Sequence, residues 1–151
     1  MDDYKSSSQE NSITTQEVEH YKNIKVIDII EKFPKIYGVP PYDPMQNLLC
    51  FGFECGKGWY PLIIKLSEDI QKILDSDSEL NIQVVQVKEK YGGLRFYAHG
   101  AYGKEIDELI EKAEEESENI CENCGKPAVP QKSKGWIKTR CEDCISTEGK
   151  K

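Results

Sequence analysis

The chain has 151 residues, of which 31% are charged, and it carries a net charge of −7 at pH 7. This length suits one ordinary hydrophobic core with a small appendage and is too short for two full domains. The acidic balance argues against general binding to DNA or RNA, because that binding is driven by neutralising phosphates. The chain has neither the roughly 20 apolar residues of a membrane span nor a signal-peptide pattern at its start. We therefore expect a cytoplasmic protein with no membrane contact.

The first 22 residues are polar, acidic and rich in serine, with very few aliphatic side chains. Such a segment buries too little apolar surface to offset the entropy that is lost on ordering. We predict a disordered polar tail over residues 1–22. Residues 23–120 are predicted to form a core of the α+β class, in which helices pack on a β-hairpin or small antiparallel sheet.

Apolar residues recur at helical spacing in three segments of the predicted core. The first segment begins at Ile24, with Asn23 as its N-cap, and ends or kinks at Pro34. The second covers residues 61–75 and is the longest apolar stripe in the chain. The third, residues 104–118, has a strongly acidic outer face. That face is either ordinary solvated surface or a surface that occupies a partner's basic groove.

The strands are predicted from β-branched residues and alternation. Residues 81–90 are followed by Gly92-Gly93 and by a second alternating segment, residues 94–99, which together predict a hairpin. Residues 127–130 are predicted to be a loop, and residues 135–139 resemble a short strand. The sequence therefore predicts two hairpin regions, one in the core and one near the C-terminus.

Two Cys-x-x-Cys pairs lie near the end of the chain, separated by sixteen residues. This spacing is typical of a site that holds one tetrahedral zinc ion with four thiolates. Because protein fills every position, the predicted Zn²⁺ is structural and has no open site for catalysis. The alternatives are two disulfides or two unrelated thiol pairs. The predicted ligands are Cys121, Cys124, Cys141 and Cys144, in a treble-clef or ribbon-like finger over residues 121–144, with a tail over residues 145–151.

The segment between the two cysteine pairs has five basic residues and no acidic one. With its tryptophan it is a candidate surface for nucleic acid or a protein partner, although a solvated loop would have the same composition. The candidate residues are Lys126, Lys132, Lys134, Trp136, Lys138 and Arg140.

A glycine-rich loop over residues 52–58 suggests a second kind of site, for a small anionic ligand. Its spacing matches neither standard phosphate motif, but aromatic faces stack bases and cations hold phosphates. Cations and aromatic residues of the loop and of the hairpin are the candidates; alternatively, Trp59 and Phe96 are part of the core and the cations are solvated. The candidate residues are Lys57, Trp59, Tyr60, Lys88, Lys90, Tyr91, Arg95 and Tyr97.

Two cysteines and one histidine remain outside these sites. Cys55 could act as a nucleophile with His99 as its base, or Cys50 could join both in a second metal site. Burial of free thiols for packing alone is the common alternative.

Three blocks of sequence together resemble a family of small bacteriophage and prophage proteins. The blocks are GFECGKGWY at residues 52–60, VQVKEKYGGLRFY at residues 85–97, and the paired cysteines with the Gly-Trp between them at residues 120–144. The resemblance covers roughly residues 33–144. It implies a phage or bacterial cytosolic setting and brings no activity or catalytic residue with it.

We accordingly expect a zinc-binding, non-enzymatic phage or prophage accessory protein that binds a host protein or a nucleic-acid complex. The alternative is a binder of a small nucleotide-like ligand, or a small enzyme, that uses the loop at residues 54–60 and the hairpin at residues 88–99.

Overall fold

The computed structural model describes residues 23–133 and 135–149, so the predicted tail over residues 1–22 lies outside the described residues. The first helix, α1, covers Val26–Lys32 and a short second helix, α2, covers Pro34–Tyr37. Lys25 is the N-cap in place of the predicted Asn23, and its backbone N–H donates to Asp28 Oδ2 at 2.9 Å. Pro34 opens α2, because its fixed φ suits the first helical turn.

The longest helix, α3, covers Tyr60–Ser76 and agrees with the predicted stripe. A single-turn 3₁₀ helix, Leu48–Phe51, and a tight loop precede it. The inner face of α3 packs into the main core, where Ile63 and Ile70 are fully buried. The buried Tyr37 and Ser67 hydroxyl oxygens lie 2.6 Å apart in a hydrogen bond that joins α2 to α3.

The core sheet has three strands: β1 (Phe53–Glu54), β2 (Gln83–Lys90) and β3 (Gly93–His99), in the order β1-β2-β3. The strands β2 and β3 form the predicted antiparallel hairpin, whereas β1 pairs in parallel with β2, a pairing that was not predicted. The hairpin reverses at Tyr91-Gly92, one residue earlier than predicted. Both residues have positive φ, 53° and 84°, which two-residue hairpin turns of this kind require.

The helix α4 covers Gly103–Ser117 and lies along the outer edge of β3. The backbone N–H of Leu94 donates to Ser117 Oγ at 2.9 Å, and that of Phe96 donates to Glu114 Oε2 at 3.0 Å. These two bonds satisfy edge donors of β3 that would otherwise be open to pairing with another chain.

The C-terminal part contains a second hairpin, β4 (Val129–Ser133) and β5 (Trp136–Arg140), followed by a helix, α5 (Glu142–Gly149). Two predictions differ here. Strand β4 begins at Val129, within the segment predicted to be a loop, and α5 continues to Gly149, where a tail was predicted from residue 145. The overall class is α+β, with helices and two small sheets. No helix among the described residues is long and apolar enough to cross a membrane.

Candidate metal centre and the surfaces around it

The four C-terminal cysteines come together at one point. Cys121 and Cys124 lie on the turn after α4, while Cys141 and Cys144 lie at the start of α5. All four sulfur atoms are within 4.8 Å of one another. Four thiolates at about 2.3 Å from one tetrahedral metal would be about 3.8 Å apart. The four cysteines could therefore hold one metal ion with little rearrangement.

The distances do not match the alternative of disulfides. Across the two pairs, Cys124 Sγ and Cys141 Sγ are 3.5 Å apart, well beyond the about 2.05 Å of a disulfide bond. All six cysteines are free thiols. Since no position of the tetrahedron is left for water, a metal here would hold the fold together and would not act on a substrate.

The surroundings of the sulfurs favour some thiolates over others. Burial raises the pKa of Cys121, but backbone N–H groups of Cys141, Cys124 and Asn123 donate to its sulfur, and the net result is a pKa of about 7. Burial raises the pKa of Cys124 to about 12, and the neighbouring thiols add to that increase. Thiolates packed this closely repel one another, and a cation between them would favour their ionised forms. Binding a divalent metal would thus release protons.

The polar surroundings also orient the second pair. The side-chain amide of Asn123 donates to Cys144 Sγ at 3.2 Å. Both Cys141 and Cys144 lie at the N-terminus of α5, where the helix dipole favours negative charge. The sequence spacing identified the four sulfurs, but nothing in the spacing pointed to Asn123 as a partner.

The glycine-rich loop packs on the cysteine turn. A Cβ at Gly58 would lie 2.2 Å from the carbonyl oxygen of Cys121, and one at Gly56 would lie 2.4 Å from that of Glu122. The N–H of Gly58 donates to Glu122 O at 2.8 Å. These glycines therefore permit a close approach of two backbone segments, and that role accounts for them without a ligand.

Glu122 joins three segments and was not identified from the sequence. Its Oε2 accepts the N–H of Gly56 at 2.9 Å, and its own N–H donates to Thr139 O at 2.8 Å. Its Oε1 lies 3.8 Å from Arg140 Nη2. Glu122 is almost fully buried and connects the glycine loop, the cysteine turn and β5.

Two members of the predicted ligand site belong to the core. Trp59 is 0% exposed, and its Nε1–H donates to Ile120 O at 2.8 Å. Tyr60 is buried, and its ring meets that of Phe53 edge-on at 5.9 Å. Neither ring presents a face to solvent on which a base could stack.

The remaining members lie on the hairpin or in the glycine loop. Lys57, Lys90, Tyr91 and Tyr97 are exposed, and Lys88 pairs across the strands with Arg95. Arg95 Nη1 donates to Leu94 O at 2.9 Å. The structure does not gather all eight predicted residues around one cavity. Two surface clefts of about 360 and 390 Å³ are lined by other residues, one between α3 and α4 and one beside α1.

The Cys55–His99 pair does not form. Cys55 follows β1, whose Glu54 is opposite Lys88, whereas His99 is opposite Gln83 at the other end of β2. At about 3.3 Å per residue the two are roughly 15–20 Å apart along the sheet. Burial raises the pKa of the Cys55 thiol, with Glu122 and Glu89 adding to the effect. Cys55 is therefore a neutral, packed thiol.

Several cations of the predicted basic segment have acidic neighbours. Lys126 lies 3.3 Å from Asp143, and Lys138 lies 3.3 Å from Glu89. Arg140 lies beside Glu122 and is mostly buried. Lys134 lies outside the described residues.

The open part of the predicted basic segment is the outer end of the second hairpin. Lys132 is exposed there, opposite Ile137 in the strand register. Trp136 at this end is 70% exposed and Ile137 is also open, whereas Val129 is open at the opposite end of the hairpin, where it pairs with Arg140. The candidate partner surface is thus more apolar and less basic than the sequence predicted.

The chain was compared with protein families, curated proteins and solved structures. No protein-family model, no curated protein and no solved structure matches the chain. The functional argument therefore depends on the metal centre and on the exposed surfaces.

Proposed function

We propose that this chain is a zinc-binding, non-enzymatic accessory protein that acts by binding a host protein or a nucleic-acid complex. Zinc suits a tetrahedral set of four soft thiolates. The order of cysteine turn, hairpin and helix, with the second cysteine pair in the first turn of the helix, supports a treble-clef finger. The phage or prophage setting and the bacterial cytoplasm are inferred from the three sequence blocks alone.

The observation that carries the proposal is the exposure of three large apolar side chains on the hairpin between the metal ligands. Val129, Trp136 and Ile137 are 57%, 70% and 39% exposed. Val129 and Trp136 lie at opposite ends of the hairpin, and Ile137 is on the face opposite Trp136. Several large apolar side chains exposed on one short element mark an interaction site more often than scattered single ones do. A metal ion holding both ends of the hairpin would keep the hairpin in a fixed shape, which lowers the entropy lost on binding.

The alternative of a small-ligand site or an enzyme has less support. Trp59 and Tyr60 are buried, the cysteine turn packs directly on Gly56 and Gly58, and Cys55 is at the opposite end of the sheet from His99. None of these three findings favours an open pocket with a reactive group.

The first test combines metal content with capture of partners. Native mass spectrometry should find one zinc per chain, lost on denaturation; iron in place of zinc would contradict the metal assignment. Tagged wild-type protein and Trp136→Ala should then be compared in bacterial lysate, because the variant removes the most exposed ring. We expect Trp136→Ala to retain at least several-fold less of the partner material than wild type retains.

The matched control for the capture is Phe51→Ala, which removes a ring that is 64% exposed outside the second hairpin. The control should retain the same material as wild type. Equal capture by wild type and Trp136→Ala, both zinc-loaded, would reject the proposed surface.

A further inference from the structure

One residue of the cysteine turn contacts a sulfur of each cysteine pair. The backbone N–H of Asn123 donates to the sulfur of Cys121. Its side-chain amide crosses to the second pair and donates to Cys144 Sγ at 3.2 Å. Cys121 and Cys144 are the first and the last of the four candidate ligands, so Asn123 joins the two ends of the cluster.

The two hydrogen bonds of Asn123 differ in what they require of the sequence. A backbone N–H is present with almost any residue in the turn, whereas the donor to Cys144 exists because residue 123 carries a carboxamide. Alanine or aspartate at this position would offer no side-chain N–H to that sulfur. The bond to Cys144 therefore belongs to this sequence and not to every Cys-x-x-Cys turn.

Neither packing nor backbone conformation requires an asparagine at this position. The side chain of Asn123 is exposed, so it fills no space in the core. Asparagine is also favoured where φ is positive, but among the non-glycine residues that the structure describes only Tyr91 has a positive φ. The contact with Cys144 is the role that the structure gives this side chain.

Helix α5 depends on Cys144 for its place in the fold. Among the side chains of α5 that the structure describes, Cys144 is the only buried one. A second link from the helix to the cysteine turn joins Lys126 Nζ to Asp143 Oδ2 at 3.3 Å, but both side chains are largely exposed. Exposed ion pairs add little stability. A contact that holds the sulfur of Cys144 therefore also holds the beginning of α5.

An N–H group beside a metal-bound sulfur acts on the charge of the sulfur as well as on its position. Four thiolates carry more negative charge than one divalent ion neutralises, and hydrogen bonds to charged acceptors are stronger than those between neutral groups. Groups that hydrogen-bond to metal ligands orient them and tune the metal, and their loss typically costs about 10- to 100-fold in metal affinity.

We propose that Asn123 is a positioning residue of the metal centre, whose amide orients Cys144 Sγ toward the other three sulfurs and strengthens binding of the ion. This inference rests on the proposed function, because it concerns the same zinc. It adds a residue outside the four cysteines on which the affinity for the metal depends.

The test uses the full chain, purified without metal under reducing conditions and titrated with Co²⁺ and with Zn²⁺. Asn123→Ala should bind zinc about 10- to 100-fold more weakly than wild type in competition with a chelator. Asn123→Asp keeps the shape of the side chain but turns a carboxylate toward the sulfur, so it should weaken zinc binding at least as much. Asn119→Ala is the matched control, because Asn119 is also exposed and lies just before the cysteine turn. The control should bind zinc as wild type does.

The Co²⁺ spectrum distinguishes a bond to sulfur from a general loosening of the turn. Loss of the N–H raises the energy of the sulfur electrons, so the sulfur-to-cobalt charge-transfer band of Asn123→Ala should move to longer wavelength. The tetrahedral pattern of the visible bands should remain, because all four sulfurs still bind. A side chain that only kept the turn in shape would change the affinity without moving this band.

Two results would overturn the inference: equal zinc affinity of Asn123→Ala and Asn119→Ala, or a charge-transfer band of Asn123→Ala that coincides with that of wild type. In both cases wild type still binds one metal ion, and the proposed function stands. A wild-type chain that gives no tetrahedral Co²⁺ spectrum would instead contradict the proposed metal centre, and the inference would fail with it.

Discussion

At Gly58 the backbone of the loop before α3 touches the backbone of the cysteine turn. A Cβ there would meet Cys121 O at 2.2 Å and Gly125 N at 2.6 Å. All the near atoms are backbone, so no side chain can rotate away. The turn could accept the methyl group only by moving Cys121, which is one of the four candidate metal ligands.

We expect Gly58→Ala to cost about 3 kcal/mol or more of stability, at the upper end of overpacking effects. It should also weaken metal binding, because relief of the clash displaces Cys121. Urea unfolding and competition with a zinc chelator measure the two effects separately.

Gly135→Ala is the matched control for this prediction. Gly135 has a φ of +86° and nothing within 4 Å of the position of a Cβ. The substitution should therefore lower the stability only by the backbone strain, about 1–2 kcal/mol. Equal effects of the two substitutions on chelator competition would show that the close contact at Gly58 does not position the metal ligand.

Single residues differ in how far sequence alone can assign them. The cysteines were predictable, because a metal imposes a fixed spacing on its ligands. Gly56 and Gly58 were not, because their glycine-rich pattern fits either a ligand loop or a backbone contact. The two cases differ only in which residues lie against the loop. One of these is Glu122, which is 64 positions or more away in the sequence.

Among the secondary-structure elements, α4 has a role that helical periodicity does not predict. Its acidic residue Glu114 accepts the backbone N–H of Phe96 on the open edge of β3. Burial raises the pKa of this carboxyl, while the bond from Phe96 and the charge of Arg95 partly oppose the rise.

A carboxyl with a raised folded-state pKa binds its proton more tightly in the folded protein. Its contribution to stability is fully present below the unfolded pKa, near 4.3, and is lost as the pH rises through the folded pKa. We expect Glu114→Gln, which keeps an acceptor for Phe96 but cannot ionise, to gain stability relative to wild type between about pH 4 and pH 7. Urea unfolding at both pH values measures this change.

Glu114→Ala is the companion variant, because it removes the acceptor as well as the charge. It should cost about 1 kcal/mol for the lost hydrogen bond. A Glu114→Gln variant whose stability relative to wild type is the same at both pH values would contradict the assigned direction.

The elements that the sequence predicted well are those with many local signals. The apolar stripes placed α3 and α4 within one or two residues, and the β-branched segments with their glycines located the first hairpin. The two-residue strand β1 could not be predicted, since it exists only through parallel pairing with β2, more than thirty residues later. Helix α5 lacks an apolar stripe of its own and depends on the cysteine cluster at its start.

At the scale of the whole molecule, the cysteine cluster and the main core are joined by buried contacts. Trp59 donates from the core to Ile120, just before the first cysteine pair. Thr139, just before the second pair, is fully buried and donates to the turn of the first hairpin. The sequence suggested a finger packed on a core, and these contacts make the two parts depend on each other.

We therefore expect removal of the metal to destabilise the whole fold and not only residues 121–149. In a Trp136→Phe background, Trp59 is the remaining tryptophan, and its emission reports on the core. A chelator should shift that emission to longer wavelength and lower the midpoint of one cooperative thermal transition. A loss of at least 3 kcal/mol corresponds to roughly 10 °C in a chain of this size. An independent finger would behave differently: the chelator would leave the Trp59 emission and the main transition unchanged, because Ile120 would stay in place while the cysteines lost their metal.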